Sequence, residues 1–276
     1  MKRRHLVELH ELPICPNEVR DTLTDILQLS IRINRIYSPA ARLLGAALRK
    51  TGSRRVVDLC SGAGGPWREL QPQIASQARG SVSICLTDKF PNEAASQTMT
   101  RQSGLRYESQ SVDAAAVPEE LDGFRTLFTS FHHFRPERAR RIIGDAVRNR
   151  QGVAIFEFTR RDWSSVLRML LGPLAALLAV PFLKPFRWSR LFWTYVIPLV
   201  PLALTLDGIV SCLRTYTTAE LKAMVAEFPE YEWQIGEERG EHWAIPVTYL
   251  ISYPRVSSEV EEQVVEVDQP ALAIAE

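Results

Sequence analysis

Two acidic residues and a glycine-rich loop have the types and spacing needed to bind a nucleoside. Residues 55–67 contain a short β-branched run that ends in Asp58, followed by a loop of small residues with Gly62 and Gly64. Glycine lets the backbone approach a ligand closely or take a positive φ angle. A strand that runs into such a loop and then into a helix forms a nucleotide-type pocket at the carboxyl edge of a parallel sheet.

Further acids follow at the ends of later predicted strands. Residues 81–88 form a second predicted strand that ends in Asp88. A carboxylate there can accept hydrogen bonds from both ribose hydroxyls of an adenosine; the alternative is an N-cap for the next helix. A third predicted strand, residues 107–113, ends in Asp113. The alternative for Asp113 is an ordinary loop aspartate.

The loop resembles the first motif, D-x-G-x-G-x-G, of class I S-adenosylmethionine (SAM)-dependent methyltransferases. Asp58, Gly62 and Gly64 match that motif, and Cys60 replaces its first glycine. The loop is not G-x-G-x-x-G, and no Gly-Lys-Ser/Thr follows as it would in a P-loop. The resemblance covers residues 54–160. The alternative is a glycine-rich turn that binds no ligand.

The resemblance implies SAM as the cofactor and a site made from three strand ends. The residues flanking the adenine ring in that family correspond to 112–114 of this chain. The cofactor-binding residues that the resemblance implies are Asp58, Ser61, Gly62, Gly64, Asp88, Lys89, Val112, Asp113 and Ala114.

Two consecutive histidines are the candidates for a general base. His132 and His133 follow the fourth predicted strand, at the sheet edge where ligands bind in open α/β sheets. A histidine titrates near neutral pH and can deprotonate a hydroxyl. The alternative is that one faces away and the other only bonds to a loop. Glu157 is a second candidate, with pairing to Arg160 or Arg161 as its alternative.

Strands that alternate with helical stretches predict a doubly wound, mostly parallel, seven-stranded α/β sheet. The resemblance implies that the last two strands pack antiparallel at its edge. We expect residues 1–52 to form a leader and helical cover and 256–276 to form an acidic, disordered tail. The resemblance implies a methyltransferase domain at 53–255, with an apolar insertion at 165–206.

The insertion is nearly all apolar and leaves three interpretations open. It is a buried helical roof over the site, an interfacial segment lying on a membrane, or a two-pass hairpin. Prolines interrupt both apolar runs, and Arg168 lies inside the first. Each run is at or below the roughly 20 residues that a bilayer crossing needs.

The composition restricts the partners. The chain has 276 residues and a formal net charge of +1, which gives no reason to expect nucleic acid as a partner. Its four cysteines form no C-x-x-C pair and no Cys/His cluster, so we expect no metal site. The charged N-terminus contains no secretory signal. We therefore expect a cytoplasmic protein, with peripheral contact at the inner membrane face as the alternative.

The resemblance implies a SAM-dependent methyltransferase with in-line methyl transfer, and the apolar insertion predicts a small, lipophilic acceptor. The SAM methyl is already activated, so proximity and orientation supply most of the acceleration. One alternative is a membrane-associated, non-catalytic SAM- or nucleotide-binding protein that contacts the membrane through residues 165–206. The other is an NAD(P)-dependent oxidoreductase, which would usually show G-x-G-x-x-G.

Overall fold

The structure is a computed structural model that describes residues 1–242 and 246–255. The predicted tail at 256–276 lies outside the described residues. The strands are β1 (Arg55–Asp58), β2 (Ser83–Leu86), β3 (Leu105–Tyr107), β4 (Phe124–Phe128), β5 (Val153–Glu157), β6 (Tyr231–Arg239) and β7 (Pro246–Pro254).

The seven strands form one sheet in the order β3-β2-β1-β4-β5-β7-β6. Strands β1 to β5 are parallel, and β7 is antiparallel to both β5 and β6. The predicted fold class is therefore confirmed, including the antiparallel pair at the edge. Strand β2, which follows β1 along the chain, pairs with one side of β1, and the later strand β4 pairs with its other side. A ligand crevice is expected at the carboxyl ends of strands flanking such a reversal.

Helices cover both faces of the sheet, because successive side chains of a strand point to opposite faces. Val56 faces a core that it forms with the helices at Ser38–Thr51 (α2) and Trp67–Gln77 (α3). Val57 faces a second core, formed with the helices at Pro136–Arg148 (α5) and Thr218–Val225 (α10). The α-helices of the described residues are α1 (Asn17–Ile33), α2 (Ser38–Thr51), α3 (Trp67–Gln77), α4 (Glu93–Met99), α5 (Pro136–Arg148), α6 (Trp163–Met169), α7 (Gly172–Ala179), α8 (Trp188–Leu191), α9 (Leu199–Arg214) and α10 (Thr218–Val225).

Two predicted boundaries are wrong. The third strand was placed at residues 107–113, but β3 ends at Tyr107 and the chain then loops toward Asp113. The apolar insertion was placed at residues 165–206, but its last helix, α9, continues to Arg214. A capping box between Thr217 and Glu220 begins α10.

The insertion comprises α6 to α9 and packs on only one side. Its inner side chains form a buried cluster with α1 that includes Val19, Ile26, Ala176 and Val200. Its outer side chains are exposed. Trp163–Phe182 is long and apolar enough to cross a membrane, and only 17% of its most apolar window is buried. The pair Trp188–Val196 and Leu199–Arg214 passes the same test together but is bent by 74°.

Candidate functional site

The glycine loop begins at a buried carboxylate. Asp58 ends β1 and is only 1% exposed. Its Oδ2 accepts a hydrogen bond from Ser61 Oγ at 2.6 Å, and its Oδ1 accepts one from Thr126 Oγ1 at 2.6 Å. Burial raises the pKa of Asp58 to about 7. Asp58 is buried and each of its oxygens accepts a bond inside the protein, so its carboxylate fixes the shape of the loop, and its contact with a cofactor stays a prediction.

The loop backbone keeps the conformation that the glycine motif requires. Gly62 has a φ of 50° and Gly64 a φ of 102°. Cys60, which replaces the first glycine, has a φ of 59° and so adopts the left-handed region that favours glycine. A Cβ atom at Gly62 would lie within 4 Å of no other atom, whereas one at Gly64 would lie 2.8 Å from the side chain of Met99 in α4. The loop therefore faces open space at Gly62 and packs on α4 at Gly64.

Asp88 lies two residues beyond β2 and is tied to this loop. Its Oδ2 accepts the backbone N–H of Gly62 at 2.8 Å, and its Oδ1 accepts the N–H of Phe90 at 2.9 Å. The residue is partly exposed, and a carboxylate offers about four acceptor positions, so capacity for further bonds remains. Asp88 is not the N-cap of the next helix, because Asn92 caps α4 by accepting the N–H of Ala95.

The segment around Asp113 lies beside Asp88. The N–H of Val112 donates to the Asp88 carbonyl at 2.9 Å, while the side chains of Val112 and Ala114 are buried. Arg138 of α5 donates to both carboxylate oxygens of Asp113, at 2.7 and 2.6 Å. Lys89 Nζ lies 4.0 Å from Asp113 Oδ2. These contacts bring the predicted adenine-flanking residues next to the predicted ribose acid, although Asp113 lies in a loop and not at a strand end.

His132 is held by a carboxylate. Its Nδ1 lies 2.8 Å from Glu157 Oε2, and its backbone N–H donates to Glu157 Oε1 at 3.1 Å. The residue is 1% exposed, and its Nε2 has no hydrogen-bond partner in the described structure. A histidine with one nitrogen oriented by a carboxylate and the other free has the arrangement of a general base. Both sequence candidates, His132 and Glu157, thus belong to one dyad.

His133 points into a different set of contacts. Its Nδ1 lies 3.0 Å from Glu11 Oε1 and 3.1 Å from Arg214 Nη1. Burial, together with the neighbouring His132, lowers the pKa of His133. The Arg214 guanidinium in turn binds Glu11, with Nη2 2.7 Å from Oε2. His133 therefore belongs to an ion-pair network, which makes it the weaker candidate base.

The N-terminal segment, residues 1–11, covers His132. Glu8 is 2% exposed, and its Oε1 lies 3.9 Å from His132 Nε2. Arg3 donates to the carbonyl oxygens of His132 and Phe134, at 3.1 and 2.9 Å. Sequence reasoning missed this cover, because a polar leader with no hydrophobic period gives no signal of where it docks.

Docking of residues 1–11 also brings together a cluster of possible metal ligands that no pattern in the sequence predicts. Glu8, His132 and His133 offer ligand atoms within 4.8 Å of one another, a spacing that could hold a metal ion. However, Arg214 Nη1 lies 3.1 Å from Glu8 Oε1, so a fixed cation already pairs with this carboxylate. Burial raises the pKa of Glu8. We interpret the group as part of the ion-pair network.

A cavity of about 680 Å³ lies between the glycine loop and the insertion. Residues of α1, α4 and the turn after α7 complete its wall, and its lining mixes apolar and charged side chains. His132 is not among the lining residues. Those that matter here are Asp25, Leu29, Ala63, Gly65, Met99, Phe182, Leu183, Lys184 and Arg187.

No protein-family profile matches the chain, and no curated protein matches it. The plantazolicin methyltransferase BpumL, solved in complex with a triazolic desmethylPZN analog and SAH, matches with a TM-score of 0.50 and 10% identity, over 87% of this chain and 100% of that chain. The chain has the fold of class I SAM-dependent methyltransferases.

Two further solved structures match less well. A Rhodobacter sphaeroides protein, provisionally described as a Zn-dependent alcohol dehydrogenase, has a TM-score of 0.48 and 15% identity, over 88% of this chain and 100% of that chain. A SAM-dependent methyltransferase from Aquifex aeolicus has a TM-score of 0.45 and 12% identity, over 88% of this chain and 100% of that chain. Likenesses this distant add nothing to the fold assignment.

In this methyltransferase fold, the predicted cofactor residues fall into two groups. Gly62, Asp88 and the segment 112–114 surround the open side of the loop. Asp58 and Ser61 lie beneath it, where Ser61 is 6% exposed and donates to Asp58. The contacts of Asp58 and Ser61 with a cofactor, which the motif resemblance implies, stay predictions.

Proposed function

We propose that this protein transfers a methyl group from SAM to a small, lipophilic acceptor. The observation that carries the proposal is the position of Asp88. Its partly exposed carboxylate stands at the end of β2, fixed by the Gly62 N–H at 2.8 Å. It lies next to a loop surface that is open at Gly62. A carboxylate so placed is suited to the two ribose hydroxyls of an adenosine.

The proposed cofactor site extends on both sides of that carboxylate. Gly62 and Gly64 would pass beneath the methionine part of SAM, and residues 112–114 would flank the adenine. Lys89, with a 54% exposed side chain, would lie at the rim. Asp58 and Ser61 would act by holding the loop in shape.

The acceptor would occupy the cavity between the glycine loop and the insertion. Its volume of about 680 Å³ is within the usual range of roughly 300–1,000 Å³ for small-molecule sites. Its wall contains apolar residues such as Leu29 and Leu183 and charged residues such as Arg187. This lining suits an acceptor with an apolar body and a polar group.

Bound SAM would supply an activated methyl group to the acceptor atom and would leave as the neutral thioether when its carbon–sulfur bond breaks. An acceptor hydroxyl must also lose its proton. We assign that proton to Nε2 of His132, with Glu157 stabilising the imidazolium that forms. Glu8 covers Nε2 and His132 does not line the cavity, so this role requires both that residues 1–11 move and that the acceptor hydroxyl extends from the cavity to Nε2.

Calorimetry with the purified chain tests the cofactor assignment. We expect SAM and its demethylated product to bind, and NADH not to bind. Asp88→Ala should weaken SAM binding by about 5- to 150-fold, which corresponds to about 1–3 kcal/mol for lost ribose hydrogen bonds. Asp122→Ala is the control, because Asp122 is an exposed acid that pairs with Arg55 at the opposite end of β1. Equal SAM binding by both variants would refute the ribose assignment.

The two rival functions predict different results in the same preparation. A nicotinamide-dependent oxidoreductase would bind NADH and leave SAM unbound. A non-catalytic binding protein would bind SAM but transfer no methyl group from labelled SAM to a panel of phenols, isoprenoids and lipid-like acids. Methylation of polar metabolites alone would disprove the acceptor class while leaving methyl transfer intact.

A further inference from the structure

The exposed hydrophobic side chains are concentrated in one region. Of the twenty-three large hydrophobic residues exposed among the described residues, sixteen lie between positions 163 and 206. Soluble monomers rarely expose a contiguous apolar patch of this kind without a partner. The sixteen, which we call the insertion face, are Trp163, Leu167, Leu170, Leu171, Leu174, Leu177, Leu178, Phe182, Phe186, Trp188, Phe192, Tyr195, Val196, Ile197, Leu202 and Leu206.

Along α6 and α7 the helical pattern is the reverse of that in a soluble helix. Leu167, Leu171, Leu174 and Leu178 recur at helical spacing and are 57–66% exposed. Ala176, on the inner side, is fully buried. A surface helix of a soluble protein turns its large apolar side chains inward and its polar ones outward. The outer stripe is therefore built for an apolar environment.

The charge of the same region has one sign. Residues 163–206 contain four basic residues and no acidic residue. Arg190 is buried against Asp25, and Arg187 lies 3.3 Å from Asp21. Lys184 is exposed and takes part in no ion pair within the described residues. The insertion thus combines apolar area with positive charge, as interfacial membrane segments do.

We propose that the insertion face docks onto a lipid bilayer that contains anionic lipids. Helices α6 to α9 would lie in the interface, with the leucines in the acyl region and Lys184 among the headgroups. Trp163 and Trp188, 75% and 77% exposed, would sit at headgroup level. This proposal does not depend on methyl transfer, since it rests on the insertion alone.

The insertion would lie on the bilayer and not cross it. Its inner side is packed against Val19 and Ile26 of α1. The helices could cross the bilayer only if these buried contacts were lost. The second apolar stretch, Trp188–Val196 with Leu199–Arg214, is also bent by 74°.

Charge favours a bilayer over a second copy of the chain as the occupant. A two-fold contact places the same patch on both subunits. Such a contact would bring Arg168 and Lys184 of both insertions together, and no ion pair within the described residues neutralises either of them. Anionic headgroups complement that charge.

The docked surface would also adjoin the cavity. Phe182 belongs to the insertion face and lines the cavity, and the exposed Lys184 and Arg187 line it as well. A molecule leaving the bilayer at this point would therefore enter beside the glycine loop.

Vesicle flotation of the full chain tests the proposal without SAM. We expect flotation with phosphatidylcholine vesicles that contain phosphatidylglycerol, and less with phosphatidylcholine alone. Leu171→Asp/Leu178→Asp should reduce the bound fraction at least tenfold, because two charges enter the proposed acyl region. The control, Gln73→Asp/Ala223→Asp, adds the same charge at exposed positions of α3 and α10 and should float like the unchanged chain. Circular dichroism checks that both variants are folded.

The outcomes are distinct. Equal flotation of both double variants, or no flotation with either vesicle, would overturn docking through the insertion face. Equal binding to neutral and anionic vesicles would overturn the role of charge. Resistance to alkaline carbonate extraction would overturn the interfacial arrangement in favour of a spanning one. A dimer in sedimentation that Leu171→Asp/Leu178→Asp dissociates, without vesicle binding, would assign the face to a second copy.

Discussion

His132 and Glu157 form a buried dyad in which Nδ1 of the imidazole lies 2.8 Å from Oε2 of the carboxylate. The same carboxylate accepts the backbone N–H of His132 at 3.1 Å. Two contacts to one carboxylate fix the ring and favour the tautomer with its proton on Nδ1. Nε2 is then left as the acceptor nitrogen.

Glu157→Gln tests this dyad. The amide can donate to Nδ1, which would place the imidazole proton on Nε2 and remove the acceptor. If His132 is the base, kcat should fall by about 10²- to 10⁴-fold with little change in SAM affinity. His133→Asn is the matched control and should retain most of the activity, because His133 bonds to Glu11 and Arg214. Loss of activity in His133→Asn alone would reassign the base.

Gly62→Ala separates backbone strain from ligand contact. Gly62 and Gly52 both have positive φ, 50° and 68°, and at neither would a Cβ atom meet another atom within 4 Å. Alanine should therefore cost each a similar amount of stability, about 1 kcal/mol. Only Gly62→Ala should weaken SAM binding, because its methyl group would enter the proposed cofactor space. Equal SAM affinity in the two variants would contradict that placement.

Asp58 should make stability depend on pH. Burial raises its pKa from 3.8 to about 7, so between these pH values the folded chain keeps a proton that the unfolded chain releases. This contribution is fully present below pH 3.8 and is lost as the pH rises to about 7. The loss is about 4 kcal/mol at most, at about 1.4 kcal/mol per pH unit.

Asp58→Asn should remove this contribution to the pH dependence of the free energy of unfolding. The measurement is the free energy of unfolding in urea between pH 4 and pH 8, compared for the two proteins at each pH. Parallel curves would mean that Asp58 is ionised in the folded chain.

A buried ion pair at the sheet should be costly to break. Arg125 in β4 pairs with Asp145 in α5, and the two are 2% and 5% exposed. Asp145→Ala leaves a buried guanidinium without its partner and should cost about 3–5 kcal/mol of unfolding free energy. Asp122→Ala breaks the exposed pair with Arg55 and should cost less than about 1 kcal/mol. Similar midpoint shifts in urea for both variants would contradict the difference in burial.

The sequence predicted the sheet well because its strands are short apolar runs separated by helical periods. It placed the motif loop, Asp88 and the His132 region at one edge, since parallel strands share their carboxyl ends. It placed Asp113 at a strand end, whereas β3 ends at Tyr107 and the polar residues 108–111 continue as a loop. It could not foresee that residues 1–11 cover His132, which depends on contacts between residues more than 100 positions apart.

The docking of residues 1–11 also bears on how the chain is made. Arg3 and Glu8 find their partners in α9, about 200 residues later, at Arg214 and Ser211. At roughly 5–20 residues per second on the ribosome, those partners emerge some 10–40 seconds after residues 1–11. Residues 1–11 can therefore make these bonds only late in synthesis, and a nascent chain that stalls before residue 211 leaves Arg3 and Glu8 without these two partners.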